Sequence, residues 1–323
     1  MKIERLTPAF KDYLWGGTKL RDVYHKPCDF DKVAESWELS THPAGESKIL
    51  GGEYDGLTLS QYIQQAGKEV LGKNAGAFEN FPVLIKLIDA KDPLSIQVHP
   101  SDEYALKVEG EYGKTEMWYI VDCEEGAFLY FGVNRPMTKE EFRQRIQDNT
   151  ILEVLGKVEV HPGDVFFIEA GTIHAIGAGI LIAEIQQNSN CTYRVYDYDR
   201  RGADGKPREL HLEKALDVCR LTPSDTSAHG GPVMAPAGGT VQQLGACKYF
   251  STQKLQVEEA LMLQVGEDSF VSLLATEGSG WVEGPENKLA FRAGDSLLVP
   301  AGAGRVRVTG RAVLVKTTVP AQD

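Results

Sequence analysis

The sequence predicts a mainly β protein of sandwich or barrel units, interrupted by a few short helices. Three observations carry that expectation. Most of the 323-residue chain reads as short strands, and many of the 33 glycines lie between their apolar runs, where tight turns demand positive φ. A hairpin-like unit occurs twice: His161-Pro-Gly-Asp-Val-Phe-Phe-Ile-Glu-Ala-Gly-Thr-Ile-His174 aligns without gaps on Arg292-Ala-Gly-Asp-Ser-Leu-Leu-Val-Pro-Ala-Gly-Ala-Gly-Arg305. Helical signals are confined to three brief segments.

Taken along the chain, Leu59 to Leu71 follows Thr58 and stops at Gly72, a start and stop for one helix. Thr138 with Glu141 three residues later forms a capping box ahead of Phe142 and Ile146. Leu212, Ala215, Leu216 and Cys219 share one helix face, and His211 falls in the same helix. Residues 1–222 thus read as one β unit with helical segments at about 57–75, 138–149 and 208–220. The stretch 223–239, rich in Pro, Gly, Ser and Ala and carrying His229, reads as a linker, and 240–323 as a second β unit. Each copy of the repeat contains Gly-Asp, a short apolar or small run, and Ala-Gly. The first ends on His174 and the second on Arg305, so a metal in the first unit has no counterpart in the second.

Bulk properties narrow the function. Hydrophobic residues at 42% and charged residues at 25% are ordinary for a globular protein. No apolar run approaches the roughly 18 residues of a membrane span. The N-terminal Met1 to Arg5 has no apolar signal core, so the chain reads as cytoplasmic. Five scattered cysteines (Cys28, Cys123, Cys191, Cys219 and Cys247) include no C-x-x-C pair, which argues against a disulfide framework or a cysteine metal cluster. A net charge of −12 disfavours nucleic acid, yet a few cations inside a pocket still suffice for a small phosphate ester. Phosphate-loop, nucleophile-elbow and dinucleotide fingerprints are absent.

The chemistry concentrates in three β segments. In Leu94-Ser-Ile-Gln-Val-His-Pro100, Gln97 and His99 are two apart and emerge on one face. In Gly113-Lys-Thr-Glu-Met-Trp-Tyr-Ile-Val121, Lys114, Glu116 and Trp118 share a face. In Ala170-Gly-Thr-Ile-His-Ala-Ile176, His174 opens a strand after a tight turn. Two imidazoles and a carboxylate suit zinc or another divalent first-row metal, and Gln97 adds an amide oxygen. Taken singly, each has a plainer reading: His99 as a structural strand residue, Glu116 as an exposed charge, His174 as a turn residue. Trp15, Trp37 and Trp118 read either as pocket walls or as core, while His25, His42 and His161 read as structural or exposed.

These strings carry a resemblance. Gly-Asp-x4-Glu-Ala-Gly-x2-His resembles the second motif of the cupins. Ser-Ile-Gln-Val-His-Pro, Gly-Lys-Thr-Glu-Met-Trp-Tyr and Ala-Gly-Thr-Ile-His-Ala-Ile-Gly resemble the type I mannose-6-phosphate isomerases in their short bacterial form. Tyr13-Leu-Trp-Gly-Gly17, Glu35-Ser-Trp-Glu-Leu39, Glu184-Ile-Gln-Gln-Asn188 and Tyr193-Arg-Val-Tyr-Asp-Tyr-Asp-Arg200 extend it over residues 5 to 220, with a looser match beyond.

The resemblance implies two cupin (jelly-roll) β-barrels and one Zn2+ per chain held by Gln97, His99, Glu116 and His174. It implies that Ser95, Lys114, Glu184 and Arg194 line the pocket of a small-molecule sugar phosphate, with no membrane and no nucleic acid involved. The implied activity is aldose–ketose isomerisation of mannose 6-phosphate and fructose 6-phosphate through a cis-enediol(ate). Arg194 and Lys114 would stabilise charge and, with Ser95, hold substrate oxygens, and Glu184 would act as acid/base or as a supporting group. The plain alternative for Arg194 is a surface charge paired with Asp197 or Asp199. Two other functions fit a His/Glu/His cupin: an iron dioxygenase and a non-catalytic sugar-binding module. Lys114 and Arg194 favour the phosphorylated sugar.

Overall fold

The computed structural model describes residues 1–322 apart from 203, 204, 226, 228 and 229, so His229 and part of the expected linker lie outside the described residues. Three antiparallel sheets make up the molecule. The first has six strands in the order Val165–Ile168, Glu116–Cys123, Ile180–Gln187, Val83–Ala90, Glu35–Leu39 and Ala9–Lys11. Its two long central strands, Ile180–Gln187 and Val83–Ala90, are buried at every position and mostly apolar, with Lys86, Asp89, Glu184, Gln186 and Gln187 as buried polar exceptions.

Each face of that sheet has its own partner. On one side Ile88, Trp118, Ile120, Phe166 and Ile182 pack on Leu129, Phe131 and Ile176. The latter come from a five-stranded sheet ordered Tyr193–Tyr196, Ile96–Val98, His174–Ile176, Phe128–Val133, Leu155–Glu159. The N-terminal jelly roll is therefore two facing sheets, not a closed ring of strand pairing. On the other side Val83, Ile85, Leu87, Met117, Tyr119 and Ile185 pack on Phe250, Phe270, Leu274, Leu298 and Val315 of the C-terminal unit.

The third sheet holds ten strands and curls around Val257, Leu273, Phe291, Val299, Val306 and Leu314. Two of its strands come from the N-terminal part: Glu4–Thr7 pairs with Ser296–Val299 and with Lys48–Leu50. The first strand thus belongs to the C-terminal sheet, which a division of the sequence at 222 did not foresee. Val233–Met234, within the expected linker, also forms a strand, paired with Gly239–Ala246.

The repeat is visible in backbone detail. The amide of His161 donates to Asp164 Oδ2 at 2.8 Å and that of Arg292 to Asp295 Oδ2 at 3.0 Å, each beside a glycine of positive φ (97° at Gly163, 94° at Gly294). After the second turn the two copies diverge: His174 is fully buried and Arg305 is exposed.

The helices differ from expectation in four places. Thr58 and Gln61 form a reciprocal capping box, but the helix ends at Ala66 because Gly67 adopts φ 97°; a 3-10 turn Lys68–Leu71 and a short helix Lys73–Gly76 follow. Thr138 Oγ1 accepts from the Glu141 amide at 3.2 Å and caps the helix Lys139–Gln147, while the Glu141 carboxylate turns to Arg135 and leaves the box half made. The last helix is Leu212–Val218, with His211 just outside it as the N-cap. The helix Asp102–Val108 had no clear sequence signal. The five cysteines are free. Among the described residues no helix is long and apolar enough to cross a membrane.

Candidate metal centre and active-site cavity

Gln97 is the middle residue of the strand Ile96–Val98, opposite His174 on one neighbouring strand and Arg194 on the other. Cross-strand partners share a face, so the register alone aligns Arg194, Gln97 and His174 in a row. A register shift after Arg194 takes Tyr196 off that row. From the facing sheet comes Glu116, opposite Gln186, with Trp118 opposite Glu184 one pleat further on.

The centre forms where the two sheets meet. His174 Nε2 lies 3.2 Å from Glu116 Oε1, and His99 Nε2 lies 3.6 Å from Oε2. One donor atom from each of the three falls within 4.8 Å of the others. The Gln97 amide is 3.5 Å from His174 Nε2, so rotation about its last bond presents an oxygen to the same point. All three core groups are buried, at 0–1% exposure, a costly place for a carboxylate unless something compensates it.

The donor set fits a divalent metal on two independent counts. His99 Nδ1 is 2.9 Å from the Cys191 carbonyl and His174 Nδ1 is 2.9 Å from the Thr172 carbonyl; these contacts place the proton on Nδ1 and leave both Nε2 lone pairs facing Glu116. Among the described residues neither oxygen of Glu116 receives a hydrogen bond, although the Lys114 ammonium lies 3.1 Å from Oε2. Burial and the neighbouring Lys114 hold His99 neutral, burial drives His174 down to about 4, and burial raises Glu116. A bound cation would add to the partial compensation that Lys114 supplies.

Beside the centre lies a cavity of about 260 Å³ that brings together Ser95, Gln97, Lys114, Glu184 and Arg194, five of the residues singled out in the sequence. Its other lining residues include Glu35, Lys86, Asn190 and Arg208, to which the sequence assigned no site role. Lys86 bridges two carboxylates, 3.1 Å from Glu184 Oε1 and 3.5 Å from Glu35 Oε2, and sits 5.0 Å over the Trp37 ring. Both carboxylates also accept an indole N–H, Glu184 from Trp118 at 3.0 Å and Glu35 from Trp37 at 2.6 Å. Burial works against ionised Glu184, but Lys114 and Lys86 outweigh it and hold its pKa low; burial likewise opposes charged Lys86, and Glu35 and Glu184 outweigh it. Trp15 walls the cavity, Trp118 stands edge-on to His174, and Trp37 supports Lys86.

Arg194 is not paired with Asp197 or Asp199. Asp197 instead takes Arg208 through Nε at 2.7 Å and Nη2 at 2.6 Å, together with Arg200 at 2.5 Å. Arg194 Nη1 donates to the Glu209 carbonyl at 2.8 Å, while its buried Nε has no partner among the described residues. Burial first, then the nearby Arg208 and Arg200, lower the pKa of Arg194. One signal in the sequence could have found Lys86: a lone lysine inside the apolar run Val83-Leu-Ile-Lys-Leu-Ile88. Arg208 lies in a polar loop and offers none. Away from the cavity, His42 contacts Glu111 at 3.0 Å, and His161 is exposed.

Fold and site together define the class: a two-unit cupin protein with a buried metal-suited His/Glu/His centre at the edge of a cation-lined cavity. Residues 3–127 match the family model for the phosphomannose isomerase type I catalytic domain, and residues 240–319 that for the mannose-6-phosphate isomerase cupin domain. The chain is 40% identical to the mannose-6-phosphate isomerase ManA of Bacillus subtilis over 94% of its length and 95% of the relative's. To the mannose-6-phosphate isomerase of Streptococcus mutans it is 37% identical, over 89% of each chain. The crystal structure of a mannose 6-phosphate isomerase from Bacillus subtilis superposes with a TM-score of 0.90 at 35% identity, covering 98% of this chain and 99% of that one. The fold is shared also with a mannose 6-phosphate isomerase bound with zinc and yttrium, at a TM-score of 0.75, 17% identity and coverage of 98% and 99%. The chain belongs to the type I phosphomannose isomerase family.

Proposed function

We propose that the chain interconverts mannose 6-phosphate and fructose 6-phosphate, with zinc, one ion per chain, held by Gln97, His99, Glu116 and His174. The observation that carries this reading is the cavity itself: Lys86, Lys114, Arg194 and Arg208 line one small space beside the centre. A phosphorylated sugar needs those charges; an apolar substrate of an oxygenase does not. The division of labour proposed along the chain is catalytic for 1–222, connecting for 223–239 and bracing for 240–323.

The hard step is moving a proton between adjacent carbons while charge builds on the sugar oxygens. A zinc ion at the centre would act as the electrophile that makes such a carbon acidic. Lys114, whose ammonium sits 3.1 Å from Glu116 and 3.9 Å from Glu184, lies at the reacting end and stabilises the cis-enediolate. Arg194 and Arg208 form the other end, where planar guanidinium forks suit a phosphate, and Ser95 donates to a sugar oxygen. Glu184 is too weak a base to carry the proton well, because the two ammoniums that flank it hold it ionised; its role is to aim both of them. Trp15 supplies an apolar wall that limits water around the sugar.

A coupled assay of mannose 6-phosphate isomerisation tests this, run on protein as purified, after chelation and after zinc is restored, with His174→Ala alongside. Activity that is lost on chelation, recovers with zinc and is absent in the variant is the expected result. Bound metal without turnover would redirect the search to other sugar phosphates and then to oxygenase chemistry. Sugar-phosphate binding that survives metal removal, without turnover, would favour a binding module.

A further inference from the structure

We infer that the C-terminal unit positions Lys114 through a contact between Tyr249 and Asp102; this rests on the reading above, in which Lys114 serves the reaction. Three consecutive backbone amides hold the segment that carries this lysine. Gly113 N donates to Asp102 Oδ1 at 2.9 Å, Lys114 N to the Pro100 carbonyl at 3.0 Å, and Thr115 N to Gln187 Oε1 at 2.8 Å. Gln187 in turn donates through Nε2 to the same Asp102 Oδ1 at 2.7 Å. Asp102 is thus the common anchor of two of the three amides, one directly and one through Gln187.

The remaining oxygen of Asp102 faces the C-terminal unit. The Tyr249 hydroxyl donates to Asp102 Oδ2, and Lys248 Nζ lies 3.4 Å from it. Both residues sit in the turn between the strands Gly239–Ala246 and Ser251–Val257. The fit is close on either side of this contact. A Cβ on Gly113 would lie 2.4–2.6 Å from backbone atoms of Pro100, Ser101 and Asp102, and one on Gly245 would lie 3.0 Å from Met117 Sδ. The segment 113–115 therefore runs against the backbone beside Asp102, and Gly245 of the C-terminal sheet against the strand after it, too closely for a side chain at either glycine.

The arrangement turns a surface turn of one unit into a control on the other. Lys114 Nζ reaches Glu116, His99 and Glu184 within 3.1–3.9 Å, so a small shift of its backbone changes its distance to every charged group of the centre. Tyr249 touches none of those groups. It is a positioning residue, and its effect belongs in turnover more than in substrate affinity, since Arg194 and Arg208 lie outside the chain of contacts.

The test uses full-length protein carrying Tyr249→Phe, Asp102→Ala, both together, or Val306→Ala, a cavity in the C-terminal core remote from the contact. Losing one hydrogen bond to a carboxylate is expected to lower kcat about tenfold in Tyr249→Phe while KM moves less than about twofold. In metal-free protein, hydrogen exchange of segment 113–115 is expected to quicken by about tenfold as well. The double variant falls no lower than Asp102→Ala alone, and Val306→Ala lowers thermal stability with kcat and local exchange unchanged. Wild-type kcat and exchange in Tyr249→Phe, or the same losses in Val306→Ala, would overturn the inference. If the wild-type protein turns over no sugar phosphate, the isomerase reading fails, and the exchange measurement alone decides whether Tyr249 holds the segment.

Discussion

Replacing Lys86 by Met tests whether the buried ions of the cavity support one another. Its ammonium is 3% exposed, 3.1 Å from Glu184 and 3.5 Å from Glu35. With an effective dielectric constant of ~20 each contact is worth about 5 kcal/mol before desolvation, which cancels much of it. Removing one partner of a buried pair typically costs about 3–5 kcal/mol, because the other charge is stranded. Glu184 and Glu35 keep their indole donors, so a loss of ~4 kcal/mol is expected. At roughly 2.1 cal/mol/K per residue, unfolding entropy over 323 residues is ~0.7 kcal/mol/K, and Tm should fall by ~6 °C.

The pH dependence has a definite sign. Glu184 is held below its ordinary range, so its contribution is present above the unfolded carboxylate value, ~4.3, and disappears as pH falls through the folded value. Lys86 is held above its range, so its contribution is present below ~10.4 and is lost as pH rises through the folded value. The deficit of Lys86→Met should therefore be widest between about pH 5 and 10 and narrow in acid. Differential scanning calorimetry on metal-free protein reads both. A Tm within about 1 °C of wild type at pH 7, or a deficit that widens as pH falls below ~4, would refute the reasoning.

Two further outcomes follow from the same geometry. Arg208→Met should raise KM for mannose 6-phosphate roughly 10- to 100-fold with a smaller change in kcat, because a charge-assisted contact of about 1.5–3 kcal/mol is lost; an unchanged KM in steady-state kinetics would remove Arg208 from the phosphate end. Leu298→Ala, in the core shared by the two units, should cost ~3–5 kcal/mol by urea denaturation. The same experiment should show both units unfolding in one transition, and two separated transitions would contradict a shared core.

Much of the centre was legible because its geometry is local. His99 follows the strand Ile96–Val98 directly and lies two residues from Gln97, and Lys114 lies two residues before Glu116, the first residue of Glu116–Cys123, so the period of two that a strand imposes was readable at both places. The cavity's other half was legible only as the lone lysine Lys86 in an apolar run; which groups it meets is set by cross-strand register, and Arg208 is brought in by the fold of a polar loop. The helix at Leu59 was read one turn too long because Gly67 has no local signal to set it apart from other glycines; it breaks the helix by taking positive φ. The strand Glu4–Thr7 was beyond reach for another reason. Four alternating residues fit either unit, and only the completed C-terminal sheet offers the edge they occupy.

That strand also sets an order of events during synthesis. Glu4–Thr7 pairs with Ser296–Val299, so it emerges among the first residues and cannot be placed until the chain is nearly finished. At about 5–20 residues per second the wait is roughly 15–60 s. From the completion of the six-stranded sheet at Gln187 until Phe250, Phe270, Leu274, Leu298 and Val315 arrive, the back of that sheet, with Val83, Ile85, Leu87 and Met117, lacks its C-terminal partners. The nascent chain therefore carries a partly uncovered apolar face while its C-terminal third is made, and a ribosome that stalls between Gln187 and Val299 leaves a product with the proposed metal-binding residues all present and its sheet open to aggregation.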